Sequence, residues 1–86
     1  MPNYAVVFAR SARRELERIP AKTCDRVLSA IERLGANPRP AGVRKLHGTE
    51  GVWRLRIGDY RVVYSVDDTQ RVIDIQVVRH RKDVYR

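Results

Sequence analysis

Only one of the 86 residues is cysteine, one is phenylalanine and one is tryptophan, and acids number 10 against 18 Lys+Arg. A lone cysteine, Cys24, excludes an intramolecular disulfide and argues against a thiolate metal cluster. Within a helical pattern it reads as a small buried hydrophobe. No apolar run approaches the ~18 residues that span a bilayer, and the N-terminus lacks a signal peptide's apolar core. The chain is therefore expected in the cytoplasm and off the membrane. Asp83 has no second carboxylate at ligand spacing and reads as an arginine's partner. P-loop, GxGxxG, HExxH and GxSxG patterns are all missing, so no cofactor is expected.

The shortage of acids leaves a net charge of +8, carried by 15 Arg and 3 Lys. Such a balance suits a polyanionic partner, either nucleic acid or an acidic protein. Arginine in this excess fits bidentate recognition of phosphate or carboxylate better than general solubility. The competing reading is a GC-rich genome that writes arginine wherever a cation is needed.

The length predicts a single domain over residues 1–86. Tyr4 to Phe8 reads as a first strand. A helix opening near Ala9 or Ser11 places Ala12, Leu16 and Ile19 on one face, and Pro20 stops it. A second helix carries Cys24, Val27, Leu28, Ile31 and Leu34, and ends at Gly35 and Asn37-Pro38. The short connection predicts an antiparallel helix pair. Residues 38–51 are loop-like, with a short strand allowed at Val43–Leu46.

From Trp53 to Tyr64 two strands meet through a Gly58-Asp59 turn. Alternation puts Trp53, Leu55, Ile57, Tyr60, Val62 and Tyr64 on one face. Arg54, Arg56 and Arg61 lie on the other, with Arg56 directly opposite Arg61. A turn at Asp67–Gln70 and a strand over Arg71–Arg79 then pair Tyr64 with Ile73, Val62 with Ile75 and Tyr60 with Val77. Two helices over the continuous apolar face give an α+β fold of two layers, ending in an antiparallel β-meander. Like charges directly opposed are destabilising. The arginine pair either splays into water or holds an anion, and phosphate is the fitting one.

Several stretches together resemble the RelE/ParE superfamily of bacterial toxins from type II toxin–antitoxin modules, most closely its RelE branch. They are Leu34 to Pro38, Lys45-Leu46-x-Gly48, the run from Trp53 to Tyr64, and Arg79-His80-Arg81-Lys82-Asp83-Val84-Tyr85. The resemblance implies the RelE-like microbial ribonuclease-type fold and a ribosome-dependent endoribonuclease that cuts mRNA in the A site. It also implies a RelB-like cognate antitoxin that wraps the toxin in a hetero-oligomer, docking through a helix and an extended segment. The family's functional cations fall on Arg54, Arg56, Arg61 and Arg81, and its functional tyrosine on Tyr85. The best-known members carry lysines where this chain has Arg54 and Arg56. The same scaffold in the ParE branch implies a non-enzymatic inhibitor of DNA gyrase; retention of Arg81 and Tyr85 favours RNA cleavage. A third reading keeps the basic face only as an antitoxin dock.

Metal-independent RNA cleavage needs a base for the ribose 2′-OH, an acid for the 5′-oxygen and positive charge at the phosphorane. Arg56 and Arg61 suit the last role, and Arg81 suits the leaving oxygen. Arginine is a poor base. His80 is the nearby residue type that titrates near neutrality, and it either serves as base or makes a surface hydrogen bond. Tyr85 stacks on a nucleobase, takes part in proton transfer, or packs on the sheet edge. Arg44, Lys45, Arg79, Lys82 and Arg86 are expected to contact RNA. His47 and Glu50 read as loop residues, and Trp53 as core.

Overall fold

The computed structural model describes residues 3–46 and 51–81. In chain order the elements are β1 (Ala5–Phe8), α1 (Arg10–Arg18), α2 (Ala21–Leu34), β2 (Arg44–Lys45), β3 (Val52–Ile57), β4 (Tyr60–Asp67) and β5 (Val72–His80). They form a five-stranded sheet in the order β1-β5-β4-β3-β2. The expected meander is β3-β4-β5, antiparallel throughout; β2 adds to one edge and β1 joins the other, parallel to β5. Among the described residues no helix is long and apolar enough to cross a membrane. His47, Glu50, Lys82, Asp83, Tyr85 and Arg86 lie outside the described residues.

Both helices cover one face of the sheet. Ala12 and Leu16 of α1, Ile19 between the helices, and Val27, Ile31 and Leu34 of α2 pack with Val62, Tyr64, Ile73, Ile75 and Val78. The spacing that predicted the helices is the spacing of these buried residues. Helix α1 begins after Ala9, whose side chain caps nothing. Ser11 instead donates from Oγ to the Gln76 carbonyl at 3.5 Å, tying the helix to β5. Cys24 is half-buried, and its thiol points to the Leu16 carbonyl at 3.5 Å, between the helices.

The β3–β4 hairpin has the predicted register, with Ile57 opposite Tyr60 and Arg56 opposite Arg61. A two-residue loop demands positive φ at its first position, and Gly58 supplies it at +58°. The β4–β5 register differs from the expected one in two ways. The turn lies one residue further on: Asp67 Oδ1 accepts the Thr69 and Gln70 amides at 3.0 and 2.9 Å, and Arg71 takes φ +58°. Tyr64 therefore pairs with Ile75, not Ile73, and keeps its face. A bulge then opens between Val63 and Tyr64, because Gln76 is an extra residue on β5. Beyond it the faces of β5 exchange. Val78 meets Val62 in the core, Val77 meets Val63 on the open side, and Tyr60 pairs with His80 in place of the expected Val77.

Tyr64 is fully buried, and its hydroxyl donates to the Pro38 carbonyl at 2.7 Å. Burial pushes the phenol up to about 12, with Arg39 opposing slightly. The folded state thus keeps this proton longer than the unfolded chain, whose phenol titrates near ~10. The stabilisation is complete below that value and is lost as pH rises through about 12. Urea titrations between pH 9 and 12 are expected to show a steeper alkaline loss for the wild type than for Tyr64→Phe; equal slopes would contradict this assignment.

Candidate phosphate-binding site on the open sheet face

Four strands and a bulge assemble the site. Arg56, Arg61 and Arg79 stand directly opposite one another on β3, β4 and β5, forming one row across the sheet. Arg54 lies two residues along β3 from Arg56, and Arg44 of β2 is opposite it. Gly42, Arg44, Arg54, Arg56 and Arg61 line a groove of about 360 Å³. Paired residues on neighbouring strands have Cβ atoms about 5 Å apart, so the row crowds three cations. Among the described residues, two acids share this face by register and stand along the sheet from the row: Asp67 is turned to its own loop, and Asp74 lies opposite Ser65 beyond the bulge.

Arg56 is steered by its neighbourhood: its Nε donates to the Gly58 carbonyl at 3.3 Å. Arg81 follows β5 at the hairpin tip, where its amide donates to the Asp59 carbonyl at 2.6 Å. Its Nε lies 3.7 Å from Asp59 Oδ1, and both side chains are more than half exposed. A surface pair of this kind contributes little stability. It leaves Arg81 able to exchange Asp59 for an incoming anion.

Not every expected residue joins the groove. His80, the candidate base, lies on the helix-facing side of the sheet. Its ring makes an edge contact with Tyr60, centroids 5.1 Å apart, beside Pro20, Thr23 and Arg26. The bulge is the reason, since it turns Arg79 to the open face and His80 away. Lys45 pairs with Trp53 and so sits on the helix side. Arg44 and Arg79 do reach the open face, and Arg79 stands in the row itself instead of at its margin. Without a bulge Arg79 would have pointed into the core, and that misfit was the available sign of one. If the chain cleaves RNA as the resemblance implies, His80→Ala is accordingly expected to lower the melting temperature modestly and leave single-turnover cleavage within a few-fold of wild type; a loss of a hundredfold or more would restore the histidine as base.

A second network, unforeseen from sequence, ties the loop after α2 to the β4–β5 turn. Arg39 contacts both Asp68 oxygens at 2.7 and 3.4 Å, and the Tyr4 hydroxyl donates to Asp68 Oδ1 at 2.6 Å. These hydrogen bonds hold the Asp68 carboxyl below its usual range. The Arg39 guanidinium also lies 5.5 Å from the centre of the Trp53 ring, which is half-buried and not wholly core. Because the folded carboxyl titrates below the unfolded one, its stabilisation is present above the ordinary range and lost as pH falls through the lowered value. The gap in melting temperature between wild type and Asp68→Asn should close on acidification below about pH 4; a constant gap would exclude the ion pair as its source.

The sequence model of a family described as the ParE toxin of the type II toxin–antitoxin system parDE matches residues 6–85. Toxin RelG of Mycobacterium tuberculosis is 33% identical over 84 residues, covering 96% of this chain and 97% of its own length. Toxin RelE of the same organism is also 33% identical, over 96% of this chain and 87% of its own. Among solved structures, the archaeal RelE–RelB complex from Pyrococcus horikoshii aligns with a TM-score of 0.82 at 34% identity, over 94% of this chain and 97% of the matched one. The toxin–antitoxin complex RelBE2 from Mycobacterium tuberculosis aligns at 0.79 with 30% identity, over 92% and 99%.

Proposed function

The chain belongs to the RelE/ParE superfamily of toxins from type II toxin–antitoxin modules, and from that premise we propose that it is a ribosome-dependent endoribonuclease that cuts mRNA in the A site. The observation that carries the proposal is the row Arg56–Arg61–Arg79, facing solvent across three strands. In the proposed reaction the 2′-oxygen attacks the adjacent phosphorus and the bond to the 5′-oxygen breaks. The products are a 2′,3′-cyclic phosphate and a 5′-hydroxyl. Negative charge grows on the non-bridging oxygens in between, where guanidinium forks stabilise it. Arg54 extends the same field along β3, and Arg81 at the hairpin tip is assigned to the leaving oxygen.

The 2′-OH proton needs another acceptor. His80 faces the helices, so the proposal gives this proton to Tyr85, the family's functional tyrosine, acting as a phenolate stabilised by arginine charge, while the leaving 5′-oxygen takes a proton from Arg81 or from solvent. The complexes in which relatives were solved pair RelE with RelB. By extension the partner here is a RelB-like antitoxin, and the site of action is the cytoplasm. An antitoxin segment bearing carboxylates would neutralise the row directly.

The family description names ParE, so inhibition of DNA gyrase is the second reading. Mapping of mRNA 5′ ends after induction separates the two. The proposal expects new ends within translated codons and none in untranslated RNA. Intact mRNA accompanied by DNA damage would assign the chain to the gyrase branch.

A further inference from the structure

We propose that the cross-strand pair Arg44–Arg54, with Gly42 beside it, is a discrete second phosphate subsite, holding the phosphate next to the one bound by the Arg56–Arg61–Arg79 row. The inference rests on the reading of this face as an RNA site. It adds that the substrate is an extended single strand gripped at two consecutive backbone positions.

Three observations lead there. Arg44 and Arg54 are directly paired across β2 and β3, repeating the like-charge apposition of Arg56 and Arg61. Arg54 and Arg56 are two residues apart on one strand, hence about 6–7 Å along it and on the same face. That is the scale separating neighbouring phosphates of an extended strand, so one groove offers two anion positions in series. Among the described residues, the groove lining of Gly42, Arg44, Arg54, Arg56 and Arg61 includes no aromatic ring on which a base would stack. Backbone contacts without base contacts position a strand and carry no sequence information. The subsite is therefore indifferent to sequence.

The subsite is also built to stay in place. Residues 38–46, which carry Gly42 and Arg44, are fastened on both sides. Tyr64 Oη holds the Pro38 carbonyl at 2.7 Å, Arg39 is fixed by Asp68, and the Leu46 amide donates to the Val52 carbonyl at 2.9 Å. Gly42 has φ +96°, and even a Cβ there would meet nothing within 4 Å, so a strand can approach that wall closely.

The test is fluorescence anisotropy with the full chain and a short single-stranded RNA made uncleavable by 2′-deoxy substitution, titrated across salt. Arg44→Ala should reduce the slope of log affinity against log salt by about 0.7, the value of one single-strand phosphate contact, and weaken binding roughly fourfold at about 0.15 M salt. The loss should be equal for unrelated sequences, and Arg44→Lys should restore most of the slope. A neutral methylphosphonate next to the scissile phosphate should weaken wild type and leave Arg44→Ala unaffected. An unchanged slope in Arg44→Ala, additive effects of variant and methylphosphonate at every position, or no binding of single strands by wild type would each overturn the subsite. Binding as described without cleavage on ribosomes would uphold the subsite and refute the nuclease reading.

Discussion

Arg61→Ala is expected to reduce cleavage of ribosome-bound mRNA by about 10²–10³-fold, the usual cost of one oriented donor at a developing oxyanion. Arg61 is the middle of the row, flanked by Arg56 on one strand and Arg79 on the other. Its loss removes a guanidinium and opens the spacing between the two that remain. The fall should appear in the single-turnover rate much more than in KM, since charge that develops in the transition state is what the row meets. Stability should move by no more than ~0.5 kcal/mol, because the side chain is off the core face. Arg61→Lys should recover only part of the rate, as an ammonium lacks the planar fork. Cleavage equal to wild type at equal occupancy would remove the row from the mechanism.

The second large effect tests the bulge. Val78 is 2% exposed and pairs with Val62, whereas Val77 pairs with Val63 on the open side. Val78→Asp buries an unpaired carboxylate at a cost of several kcal/mol. Against the ~5–15 kcal/mol that holds a typical domain together, such a loss leaves the protein largely unfolded. Val77→Asp should keep a cooperative thermal melt by circular dichroism. It should instead weaken RNA binding, since it sets an acid beside Arg79 and Arg61. An uninterrupted ladder would reverse these outcomes, with Val77→Asp the unfolding variant.

The bulge marks the boundary of what the sequence made legible. Strict alternation over Trp53–Ile57 and Tyr60–Tyr64, with glycine at the turn, determined both faces and the Arg56–Arg61 apposition, because each depends on neighbours in the chain. The helices were readable for the same reason, from the spacing of Ala12, Leu16, Val27, Ile31 and Leu34. Gln76 obeys no local pattern. Its looping-out is fixed by how β5 meets β4 and α1, and it decided which of Arg79 and His80 joined the site. The parallel docking of β1 on β5 was equally out of reach, since strand partners distant in sequence leave no periodic trace. Arg39 and Asp68 are 29 residues apart in two loops, and only the closed fold brings them to 2.7 Å. One cation of the row, Arg79, was therefore expected among the general RNA contacts.

The account stands on the arginine row acting at a phosphate attacked by its own ribose. Its most direct test is single-turnover cleavage on programmed ribosomes of an mRNA carrying one 2′-deoxy nucleotide immediately 5′ of the scissile phosphate. The account predicts no cut at that phosphate, with a 2′,3′-cyclic phosphate end on the unmodified control; cleavage of the deoxy-substituted message at the control rate would contradict it.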